Sequence, residues 1–194
     1  MMKHPEWINE AAAFPRPDRI RQDFICLDGE WGFAIDRLNT GRRAGWHKSG
    51  KLPEKIRVPF CVEAKASGAD SKFPPNIMWY ARKFDVPQEF LKKGGALLHF
   101  GASDYKTEVY LNGELLGGHT GGYTSFSFDT AGYLRAGENL LVVRVKDTLD
   151  PRIPRGKQSP VGVPFSIIYT PVSGIWQSVW LESIGSAHLR EIDI

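Results

Sequence analysis

The chain has 194 residues, 42% of them hydrophobic and 24% charged; these globular values exclude a largely disordered chain and allow one domain with a sizeable core. Its 25 basic and 22 acidic residues nearly cancel, leaving +3, which argues against non-specific nucleic-acid binding. No segment approaches the ~20 apolar residues that span a bilayer, and Met1–Glu6 lacks the apolar run of a signal peptide, so a cytoplasmic chain with no membrane partner is the expectation.

Residues 1–20, rich in proline and charge around Phe14-Pro15-Arg16-Pro17-Asp18, read as an arm, with a short helical turn near Glu6–Ala13. Residues 21–194 read as one β-domain. Phe24–Leu27 and Glu30–Ala34 flank Asp28-Gly29, a pair that supplies the positive φ of a tight hairpin. Cys26 and Cys61 read as buried free thiols, because a sandwich of this size needs no staple. Trp46 lies in a Gly/Lys/Arg-rich loop and is the tryptophan freest to be exposed. Core packing is expected of Trp31, Trp79, Trp176 and Trp180.

Ile77–Val86 and Ala96–Phe100 are rich in strand formers. Tyr105–Leu111 then alternates, Lys106 and Glu108 against Thr107 and Val109, the period of a sheet wet on one face and dry on the other. Asn112-Gly113 is a strong hairpin signal. Gly117–Gly122 reads as a wide β-turn, since no helix follows to make it a phosphate loop. Tyr123–Phe128, Asn139–Lys146, Gln177–Ser183 and His188–Ile194 complete the strands. Arg152, Arg155 and Lys157, broken by prolines, read as a solvated loop, and Gly162–Ser173 as a long ordered one. Strands recurring about every ten residues, with no helical stretch between them, predict an all-β jelly-roll sandwich.

Chemistry is hard to find in this pattern. Glycoside cleavage uses two carboxyl groups roughly 5–10 Å apart, and no pair of acids sits in a convincing context; Asn9-Glu10, a dipeptide of barrel glycosidases, precedes every strand. His4, His47, His99, His119 and His188 lack metal-ligand spacing, so no metal or other cofactor is expected, and His99 and His119 read as structural. No Gly-x-Ser-x-Gly elbow is present. What remains is binding: aromatic rings pack on the C–H faces of sugars, and polar groups read the hydroxyls.

The segment Leu27-Asp28-Gly29-Glu30-Trp31-Gly32-Phe33 resembles the opening strand motif of family 2 glycoside hydrolases. Val58-Pro59-Phe60, Met78–Phe84, Phe100-Gly101 through Asp104-Tyr105, Val109–Gly113, Gly117–Thr124, Phe126–Asp129, Ala136–Asn139 and Ser173–Glu182 resemble its later landmarks in order. The resemblance implies a jelly-roll sugar-binding domain that precedes an immunoglobulin-like sandwich and a TIM barrel bearing both catalytic glutamates. Those two domains and a carbohydrate substrate are then the expected partners, with no catalytic residue in this chain. A free-standing carbohydrate-binding module or lectin is the alternative.

In the galactosidase branch a polar side chain eight residues before the Asn of the Asn-Gly turn contacts substrate, and that position is Asp104. The resemblance thus makes Asp104 a substrate-binding candidate, with an Asx-turn cap as its structural alternative. An Asp five residues before the Ser/Ala-Gly also touches sugar in galactosidases and glucuronidases. Here it is Ile168, which cannot take that role or help hold a metal ion. Tyr169 beside it is the second candidate, offering its hydroxyl or else filling the core.

Overall fold

The computed structural model describes residues 23–188. The arm over residues 1–20, the helical turn near Glu6–Ala13 and the strand expected from His188, past that residue, lie outside the described part. The described chain is built from strands β1 (Phe24–Cys26), β2 (Gly29–Ile35), β3 (Glu54–Val58), β4 (Ile77–Val86), β5 (Gly94–Phe100), β6 (Ser103–Asp104), β7 (Lys106–Leu111), β8 (Glu114–Thr120), β9 (Phe126–Asp129), β10 (Gly137–Lys146), β11 (Gly174–Ile175) and β12 (Val179–Gly185). Two sheets, ordered β1-β12-β5-β9 and β3-β2-β4-β10-β7-β8, stack face to face, and β11 pairs with β6 at one end. Every pairing between these strands is antiparallel, as in the expected sandwich.

The space between the sheets is filled by the alternating inward residues of both. Trp31, Phe33, Tyr80, Phe100, Leu141, Val143 and Val145 are fully buried there. Burying a side chain of this size is worth about 1.5–3 kcal/mol. The Phe33 and Tyr80 rings meet edge to face at 5.1 Å.

The outer face of the larger sheet departs from the simple wet-and-dry alternation. Trp79, Tyr110 and Val142 form a second cluster, covered by Trp46 and Leu52 of the segment between β2 and β3. Trp46 is therefore not freely exposed: its ring packs edge-on against Trp79 at 6.0 Å. The cover is pinned by Asp36, whose carboxylate accepts the N–H groups of Thr40 (2.8 Å) and Gly41 (2.9 Å) and the Trp79 indole N–H (2.9 Å). Arg144, placed by its strand on the same face, lies 5.9 Å over the Trp79 ring and donates to Asn39.

Two turn readings need correction. Asp28-Gly29 is not a hairpin: β1 pairs with β12 in the smaller sheet, while β2 pairs with β3 and β4 in the larger, so the dipeptide carries the chain across the sandwich. Gly29 supplies the positive φ (118°), and the Asp28 carboxylate accepts the Val179 N–H at 2.9 Å. Gly117 and Gly118 lie inside β8 and not in a wide turn. The reason is steric: a Cβ on Gly117 would sit 2.5 Å from the Phe128 ring, so the bare backbone lets that ring lie across the edge strand. Asn112-Gly113 does make the expected hairpin between β7 and β8, with φ of 53° and 89°. Cys26 and Cys61 are free thiols, but half-buried and not buried as expected.

Candidate functional site

At the end of the sandwich where β6 meets β11, the chain opens a cavity of ≈ 380 Å³, within the size range of small-ligand pockets. Strand β6 contributes Asp104, the β8–β9 loop Tyr123, and the residue after β11 Trp176. The connection from β10 to β11 supplies Arg155, Lys157, Gln158 and Tyr169. The Tyr123 and Trp176 rings meet edge to face at 6.4 Å, and the Trp176 indole N–H donates to the Gly122 carbonyl at 2.9 Å. Trp176 therefore lines the cavity and is not a core residue, unlike Trp31, Trp79 and Trp180, which are buried.

Asp104 is 2% exposed, and its Oδ2 accepts from Gln158 Nε2 at 2.9 Å. That partner is a side chain across the cavity and not the backbone of an Asx turn. A Cβ on Gly122 would lie 2.6 Å from the Asp104 carboxyl carbon, so glycine is what leaves room for the group. Tyr169 is 64% exposed at the cavity wall, which corrects the core-filling alternative. Ile168 next to it is half-buried and pairs its backbone with Phe165 across a tight turn at the tip of the loop.

Beneath the cavity lies a polar layer absent from the sequence reading. Arg155, expected in a solvated loop, is buried: its Nη2 donates to Asp147 Oδ1 and to the Thr148 carbonyl. Ser173 Oγ donates to Asp147 Oδ2 at 2.8 Å, and the Ser173 N–H donates to Glu63 at 3.0 Å. Arg152 and Lys157, by contrast, are exposed as expected. Burial raises the Asp104 carboxyl above the ordinary range, while the Gln158 amide and the Arg155 charge pull it back. Burial and the Asp104 charge push Asp147 up to about 6 against the pull of Arg155.

This has a consequence for stability. The folded value of Asp147 lies above its unfolded value near 4, so its stabilising contribution is complete below about pH 4 and is lost as pH rises through about 6. The size is roughly 3 kcal/mol. Urea unfolding at pH 4 and pH 7 should show that difference in the native chain and a much smaller one in Asp147→Asn. Equal pH slopes for the two would mean that Asp147 does not titrate in this window.

The two structural histidines have aromatic neighbours. His99 stacks on Trp180 at 4.9 Å and bonds Glu182 at 2.8 Å; His119 stacks on Phe126 at 4.1 Å. Among the described residues, no group of three His, Cys, Asp or Glu is placed to hold a metal ion.

At this end of the sandwich a buried carboxylate thus shares one cavity with the rings of Tyr123, Tyr169 and Trp176. The model of the glycosyl hydrolases family 2 sugar binding domain matches residues 24–182. The chain belongs to that family. This family 2 domain is 33% identical over 182 residues to a β-galactosidase of Thermoanaerobacter pseudethanolicus, a match covering 88% of the chain and 22% of the relative. It is 35% identical over 142 residues to a putative β-glucuronidase of Formosa agariphila, covering 73% and 16%. The domain thus spans less than a quarter of the length of these curated relatives. The β-glucuronidase of Ruminococcus gnavus, solved with uronic deoxynojirimycin, superposes with a TM-score of 0.65 at 24% identity, covering 82% of this chain and 28% of that one, and shares the fold.

Sequence reasoning brought Asp104 and Tyr169 to the site, and the structure places both on one cavity. It missed Gln158, Tyr123 and Arg155 as site residues. The break of prolines around Arg155 signalled a loop, but nothing in the local pattern shows that the loop folds back over β6.

Proposed function

We propose that this domain supplies part of the sugar-binding wall of a family 2 glycoside hydrolase acting on β-linked sugars, β-galactosidase-like, with bond cleavage carried out by another domain of the same enzyme. The observation that carries this reading is the cavity itself, in which the Asp104 carboxylate stands beside Tyr123, Tyr169 and Trp176. The rings offer flat apolar faces to sugar C–H groups, and the carboxylate accepts hydroxyl hydrogens.

A second surface fits the same reading. Phe73, Val161, Val163, Phe165 and Ile167 are 47–68% exposed, and the loop that carries most of them runs into the cavity wall at Tyr169. Apolar ridges of this kind mark docking faces. Its occupant is the enzyme's own catalytic part, since the relatives are several times longer than this domain and the ridge borders the sugar site.

In the enzyme carrying this domain, Asp104→Ala should lower kcat/KM for an aryl β-galactoside by about 10- to 150-fold, the worth of one hydrogen bond to a charged group. The isolated chain should leave the same substrate intact. Unchanged turnover in Asp104→Ala removes that residue from the site, and tight glycan binding by the isolated chain would favour a free-standing lectin instead.

A further inference from the structure

The hydrogen bonds around Gln158 fix the direction of its amide. One end accepts the Val172 N–H at 2.8 Å and lies 3.4 Å from Arg155 Nη1. Both of those groups only donate, so that end is the oxygen. The other end is therefore the nitrogen, and its two hydrogens go to Asp104 Oδ2 at 2.9 Å and Tyr123 Oη at 3.0 Å. The Tyr123 hydroxyl spends its own hydrogen on the Arg155 carbonyl at 2.7 Å, which leaves it free to accept. Arg155 gives Nη2 to Asp147 and the Thr148 carbonyl, while its buried Nε has no partner among the described residues. The amide and the phenol thus have no donor left for a ligand. Asp104 retains its second oxygen, Oδ1, to which no described residue donates.

We infer that Gln158 is a positioning residue that holds Asp104 by one oxygen and leaves the other to accept a hydroxyl hydrogen of the ligand. The inference rests on the sugar-site reading above. Arg155 lines the same cavity, and its charge favours the ionised, accepting form of Asp104.

The titration of the Asp104 carboxyl is followed by carbon NMR in the 194-residue chain and its Gln158→Met and Gln158→Glu variants, and kcat/KM for an aryl β-galactoside is measured for the same variants in the enzyme carrying this domain. The midpoint of Asp104 should move upward in both variants, because each loses the amide donor, and kcat/KM should fall roughly tenfold in Gln158→Met. An unmoved midpoint in both variants overturns the positioning role, whatever the turnover. A moved midpoint with turnover lost in Asp104→Ala but unchanged in Gln158→Met overturns it too, since the carboxylate then reads the sugar without being held. A moved midpoint with turnover unchanged in both Gln158→Met and Asp104→Ala supports the positioning role and defeats the sugar-site reading instead.

Discussion

Arg155→Ala should cost the domain about 3–5 kcal/mol, a loss readable in denaturant unfolding at neutral pH. The guanidinium is 6% exposed and faces the wholly buried carboxylate of Asp147. Removing it strands that carboxylate and takes a neighbouring positive charge away from Asp104, whose carboxyl the same charge lowers. A buried charge without a partner costs far more than a surface pair is worth, which is why truncating one side is severe. The double variant Arg155→Met with Asp147→Leu should recover much of the loss, because it removes both charges and their desolvation cost together. A loss below about 1 kcal/mol in Arg155→Ala would mean that the pair behaves as a solvated one.

Gly174→Ala should be of similar size, about 3 kcal/mol or more, from two independent sources. The residue has a φ of 82°, where an L side chain is strained. Its Cβ would also stand 1.9 Å from the Tyr80 hydroxyl oxygen and 3.3 Å from Val62. Tyr80 is fully buried between the sheets, so its ring has nowhere to retreat. Combining Gly174→Ala with Tyr80→Phe removes the clashing oxygen but leaves the backbone strain, and calorimetry should show partial recovery. Full recovery would place the whole cost in the contact, and none would place it in the backbone. Gly174 pairs with Asp104 across β11 and β6, so the damage should reach the cavity too.

The parts of this molecule set by local pattern could be read from the sequence. The alternation of Leu141, Val143 and Val145 specifies one face of β10, and they do meet in the core. Asn112-Gly113 specifies its hairpin because only a positive φ at both positions closes it. The errors arise where a distant partner decides. Asp28-Gly29 has the chemistry of a hairpin, yet β12, far along the chain, takes β1 as its neighbour. Arg155 has the surroundings of an exposed loop, yet Asp147 draws it under the cavity. Trp46 owes its cover to Trp79 and to the Asp36 clasp, neither of which is visible in its own flanking residues. The site follows the same division. Asp104 entered through a family motif, whereas Gln158 is 54 residues from it in sequence and acquires its role only when the loop crosses β6.

The placement of β12 between β1 and β5 also bears on how the molecule is made. Translation delivers β1 first, and its neighbour emerges only near the end of the domain's synthesis. Until then the smaller sheet has a missing middle, and the apolar inner face of the larger one stays uncovered. A nascent polypeptide in that condition keeps apolar surface in water until Val179–Gly185 arrives, and a product cut short before Val179 cannot complete its second layer.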